Sequence, residues 1–75
     1  MTKEYYCKLY FKDKFGTFIT ELIVKLRQLN FDFWFSRKEN NIFCFSFTDH
    51  NDAAQAELIA NIHCHLLTVK LGDKE

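Results

Sequence analysis

Two runs of alternating phenylalanine constrain this chain more tightly than any other feature. Phe31, Phe33 and Phe35 alternate with Asp32, Trp34 and Ser36; after a polar turn, Phe43, Phe45 and Phe47 alternate with Cys44 and Ser46. Successive side chains on a strand point to opposite faces, so each trio shares one face, and the turn lets the strands pair antiparallel. The resulting hairpin has one phenylalanine face and one mixed face that includes Trp34. Six of the nine phenylalanines sit here, so whatever covers that face builds the core.

At 75 residues the chain is expected to form one domain, residues 1–75, and a chain this size buries only about 60% of its unfolded surface. An aromatic content of 17% compensates, because each buried ring removes roughly 150–250 Å² from water. At about 25 cal/mol per Å² that is on the order of 4–6 kcal/mol gross per ring, an upper bound before entropy. Such a core stands without metal or disulfide. Three cysteines, at positions 7, 44 and 64, form an odd and widely spaced set, which suits a reducing cytosol better than a disulfide framework. Ten basic and ten acidic side chains cancel, whereas a domain that grips phosphates carries a basic excess. No apolar run approaches the roughly 18 residues of a membrane span, and nothing resembles a secretory signal. The expectation is a free-standing cytoplasmic protein with no cofactor, no membrane and no nucleic-acid partner.

Upstream of the hairpin, over residues 3–12, Tyr5, Cys7, Leu9 and Phe11 alternate with Tyr6, Lys8, Tyr10 and Lys12. The lysines mark the wet face, so the first set points inward. Asp13-Lys14-Phe15-Gly16 reads as a turn, with Asp13 able to bond the backbone ahead and Gly16 free to take unusual dihedrals. The period then becomes helical. Phe15, Phe18, Ile19, Leu22, Leu26 and Leu29 form one stripe, Glu21 and Lys25 pair on another side, and Asn30 is a plausible stop. A second helix follows the hairpin, with N-cap candidates over residues 48–52 and Leu58, Ile59, Ile62 and Leu66 as its buried stripe. Past His63, Leu67, Val69 and Leu71 alternate with Thr68 and Lys70. That pattern favours a short fourth strand, although no breaker separates it from the helix, which would otherwise continue to Gly72.

The order strand, helix, strand, strand, helix, strand places the chain in the α+β class, as a single antiparallel sheet with two helices on its phenylalanine face. It resembles the ferredoxin-like β-α-β-β-α-β architecture, and the resemblance implies a sheet order of 4-1-3-2. On the bare face Tyr6, Tyr10, Trp34 and Ile42 form an apolar, aromatic patch bordered by Lys8 and Lys12. Large exposed apolar patches mark contacts with a partner, and Trp and Tyr are the residues most enriched among interface anchors. The blander reading is that strands favour aromatics for packing reasons alone. These six residues are the candidates for binding another protein or a second copy of the chain.

RNA-recognition domains share the strand order and stack bases on sheet aromatics. Here the third strand turns Ile42, Cys44 and Ser46 outward and its rings inward, and the expected Lys/Arg-Gly-Phe/Tyr pattern is missing. The strand, Asp13-x-x-Gly16 turn and helix leading into the second strand resemble the opening of ACT domains over about half the chain. That resemblance implies amino-acid effector binding near Asp13 and Gly16 at a dimer seam. Phe15 stands where that family commonly has proline, and ACT domains are usually fused to enzymes. His63-Cys64-His65, with His50, prompts a metal reading. On a helix, however, positions 63 and 65 point about 200° apart, and on a strand Cys64 faces away from both histidines, so no metal site is expected. Alternation puts Cys7 and Cys44 on opposite faces and predicts no bond between them.

There is no Gly-rich phosphate loop, nucleophile elbow or carboxylate pair in an apolar setting, so no enzyme chemistry is expected. The functional expectation is an interaction protein that binds another protein or itself through the sheet face or an edge strand and acts by occupancy. Small, proline-free chains of this kind resemble phage-encoded inhibitors of host defence, including anti-CRISPR proteins. That similarity of size and style implies a viral inhibitor that binds and occludes a host protein. An ACT-like sensor of small ligands is the alternative.

Overall fold

The computed structural model describes residues 4–39 and 41–69. In chain order its elements are β1 (Cys7–Lys12), α1 (Thr17–Gln28), β2 (Phe33–Glu39), β3 (Ile42–Phe47) and α2 (His50–His63). The three strands make one antiparallel sheet in the order β1-β3-β2, giving a small α+β domain.

Register fixes the two faces. Across the sheet, Cys7, Phe47 and Phe33 form one row, and Leu9, Phe45 and Phe35 form a second two residues on. Phe11 and Phe43 share a third. Buried side chains of this face join Ile19, Leu22 and Leu26 of α1 and Ala53, Ala56 and Ala60 of α2 in a single core. Phe11, Phe45 and Phe47 are fully buried. Their rings meet edge to face: Phe11 and Phe45 lie 5.7 Å apart, Phe35 and Phe45 5.1 Å. Such arrangements set the positive rim of one ring against the negative face of another. Phe33, Phe35 and Phe43, towards the β2 side, are only half-buried.

The turn into α1 is built as its residues suggest. Gly16 is the N-cap with φ 76° and offers no side chain, so the carboxylate of Asp13 substitutes. Its Oδ2 accepts the Ile19 amide at 2.9 Å, one of the donors that a helix start leaves unpaired. At the other end Asn30 takes the left-handed conformation, φ 63°. The Asn30 amide donates to the Arg27 carbonyl and the Phe31 amide to that of Leu26, each at 3.0 Å. This is a Schellman stop, and it brings Phe31 back towards Leu26. The predicted α1 stripe is narrower than its spacing suggests. Phe15 precedes the helix, Phe18 lies in its first turn and Leu29 is its C-cap, and all three are exposed, so the buried stripe is Ile19, Leu22 and Leu26.

The second helix corrects the sequence reading outright. Asp49 caps it, accepting the Asp52 amide at 2.8 Å, and it buries Ala53, Ala56 and Ala60. Leu58 and Ile62, expected inside, are 59% and 63% exposed. Two residues along a helix is about 200° of rotation, so Leu58 stands opposite Ala56 and Ile62 opposite Ala60. The rings of the sheet already fill the space between the layers, and a methyl-sized side chain lets the helix backbone approach them. Ile59 is half-buried, and Leu66 is buried from beyond the helix end.

The chain leaves α2 at His63. His65 has φ 56°, and the Leu66 amide returns to the Ala60 carbonyl at 2.9 Å, so the helix does not continue to Gly72. The fourth strand expected around residues 67–71 is an isolated antiparallel bridge between Thr68 and Phe11, reinforced by the Val69 amide donating to the Tyr10 carbonyl. Lys70 and Leu71 lie outside the described residues.

Candidate interaction face of the sheet

The face turned away from the helices also reads in rows. Lys8, Ser46 and Trp34 lie side by side, then Tyr10, Cys44 and Ser36, then Lys12, Ile42 and Glu39. In the first two rows the central strand contributes a small side chain where a neighbour contributes a long one. The result is a trough along β3. Cys44 and Ser46 form its floor, their Sγ and Oγ atoms 3.7 Å apart. Although they belong to the bare face, they are only 4% and 5% exposed because the flanking side chains shade them. The cleft above has a volume of about 400 Å³ and is walled by Tyr5, Lys8, Trp34, Ser36 and Lys38. Trp34 is 63% exposed beside it.

The six predicted residues do not all gather here. Lys8 and Trp34 line the trough, and Tyr10, half-buried, lies one row further along. Lys12 and Ile42 belong to a separate shallow recess with Glu39 and Asn41 at the far end of the strands. Tyr6 is a correction. β1 begins only at Cys7, so strict alternation does not reach back to residues 5 and 6. Tyr6 instead packs edge-on against His50 at the start of α2, with centroids 6.1 Å apart. Tyr5, expected in the core, swings to the bare side and donates its hydroxyl to Asp32 Oδ1 at 2.7 Å. Lys38 went unpredicted because it reads as turn. β2 runs on to Glu39 through an irregularity between Arg37 and Glu39, and the even-numbered series Trp34, Ser36, Lys38 was the available signal.

Other expected sites resolve into structural roles. Asp13 is buried and holds the Ile19 amide; Gly16 supplies the left-handed turn. His65 lies edge-on to Phe18, and Cys64 is buried. Among the described residues no group of three or more His, Cys, Asp or Glu is placed to hold a metal ion. No described helix is long and apolar enough to cross a membrane. One pairing escaped the sequence: Cys7 Sγ lies 3.4 Å from His50 Nδ1. Burial pushes the Cys7 thiol up, and the Asp49 carboxylate adds to the shift. An activated nucleophile needs a shift in the opposite direction. Burial also raises the Cys64 thiol, with Glu21 reinforcing the shift and Lys25 opposing it. All three cysteines are free.

Comparison of the chain with protein-family models, curated proteins and solved structures finds no match.

Proposed function

We propose that this chain is a non-enzymatic interaction module that binds another protein through the bare face of its sheet. Trp34 is the anchor, and the trough over Cys44 and Ser46 receives a side chain of the partner. Lys8 and Lys38 on its walls favour an acidic surface opposite them. The observation that carries this reading is the exposure of Trp34, 63%, on the lip of a cleft of about 400 Å³. A large ring left in water beside a recess is the arrangement from which interface anchors are made. The action is occupancy: the bound face blocks a surface that the partner needs, as a small phage-encoded inhibitor of a host protein would in the cytoplasm. The same reading takes the fold as ferredoxin-like, with the bridge at Thr68 and Val69 standing for a fourth strand beside β1. The alternative of an ACT-like sensor rests on Asp13 and Gly16, and both have tasks within the helix start, so the sheet-face reading is preferred.

The test is affinity capture from the source organism with the wild-type chain and with a Lys8→Glu/Trp34→Ala variant, both verified as folded by circular dichroism. A protein held by the wild type, released by salt and lost on the variant supports the reading. An identical set of proteins captured by both chains overturns it.

A further inference from the structure

β2 closes the sheet on the side away from β1, and among the described residues its outer edge pairs with no strand. Natural edge strands are blunted by lysine, proline or bulges, because an open row of backbone donors and acceptors recruits another strand. Here the blunting is confined to the end of β2, where Arg37, Lys38 and Glu39 coincide with the irregularity in register. The first four residues, Phe33-Trp34-Phe35-Ser36, carry no charge. Apolar surface flanks them on both sides of the sheet. Trp34 is exposed on one side. On the other, Phe35 and Phe43 stack with centroids 5.8 Å apart, yet stay half-buried beside a recess of about 350 Å³ whose lining includes Phe15 and Ile23.

We propose that the occupant of this edge is β2 of a second copy, paired antiparallel. A two-fold axis that joins two antiparallel edges side by side must stand perpendicular to the sheet. Like faces then continue into like faces, and one residue of β2 sits on the axis. With Phe35 there, Trp34 faces Ser36, Phe33 faces Arg37 and Asp32 faces Lys38. Each cation thus meets a ring or a carboxylate, and no like charges oppose each other. Moving the axis to Trp34 or Ser36 loses the Asp32–Lys38 pairing, so charge complementarity selects the Phe35 register. The pairing joins the two sheets edge to edge with both helical layers on the same side. This goes beyond the proposed function: it uses the strand edge, and a chain that stays monomeric still presents Lys8 and Trp34 on its face.

The experiment is sedimentation of the full chain over a concentration series, with D32K, K38D and their equimolar mixture. Wild type is expected at twice the chain mass. Each single substitution places two like-charged pairs across the axis and weakens the dimer about tenfold or more. In the mixture the altered position 32 of one copy faces the altered position 38 of the other, and the dimer returns. Wild type at single-chain mass throughout, or a mixture no heavier than its components, overturns the proposal. If D32K fails to fold because Tyr5 loses its acceptor, K38D decides. Loss of dimer in a variant whose circular dichroism spectrum is that of the folded wild type supports the pairing, and an undiminished dimer overturns it.

Discussion

Asp13 is a carboxylate nearly closed to water, and its hydrogen bond holds the start of α1 in place of a capping side chain that Gly16 lacks. Asp13→Ala is expected to cost about 1–2 kcal/mol, the range for a lost cap whose acceptor is charged. Urea unfolding measures it, and Asp13→Asn should fall between the two because an amide oxygen still accepts. The thiols of Cys7 and Cys64 give a prediction of a different kind. Burial is the main cause that raises both above the ordinary value of 9.0. Above about pH 9 the unfolded chain releases these protons while the folded chain keeps them, so unfolding gains and stability falls as pH climbs through the folded values. Below that window their contribution is fully present. Melting temperatures of wild type and a Cys7→Ala/Cys64→Ala variant should therefore converge, or cross in the variant's favour, as pH rises. A constant difference on both sides of pH 9 would contradict this account.

The elements were legible in the sequence to very different degrees. β2, β3 and α1 announce themselves because a single periodicity governs each, and the Asn30 stop follows from local chemistry alone. α2 was legible as a helix, but its phase was not. A stripe of Leu58, Ile59 and Ile62 is the natural core face when the largest apolar side chains are assumed to go inside. The inner layer here is already lined by Phe11, Phe45 and Phe47, so the space left suits alanine. That limit is tertiary and cannot be read from residues 50–63. Ala56→Leu should thus overpack the interface and cost about 1–3 kcal/mol. Leu58→Gln and Ile62→Gln should each stay within about 0.5 kcal/mol, as exposed substitutions do. Denaturant midpoints of the three variants decide the matter, and the reverse order would place the helix in the opposite phase.

The sheet of this molecule has one face covered by helices and one left bare, and the division was half legible. Alternation gave the correct face for Lys8, Tyr10, Trp34, Cys44 and Ser46. It could not show that the bare face is grooved, because the groove arises from cross-strand neighbours rather than from any one strand. Nor could it show that alternation ends before Cys7, which carried Tyr6 to α2 and Tyr5 to the trough. If one face holds the fold and the other does the binding, the two properties separate by substitution on neighbouring strands. Phe45→Ala, beneath the helices, removes a fully buried ring and should cost about 3–5 kcal/mol, a large share of the 5–15 kcal/mol that holds a small domain folded. Trp34→Ala, on the reverse side, should cost under about 1 kcal/mol, the span of strand preference at an exposed position. Trp34 is the only tryptophan, so its own fluorescence gives a second measure. In the dilute wild-type chain a neutral quencher should reach it nearly as freely as it reaches free indole. An emission shielded from quencher in a proven monomer, or a Trp34→Ala loss as large as that of Phe45→Ala, would mean that the side taken for the binding face is part of the core.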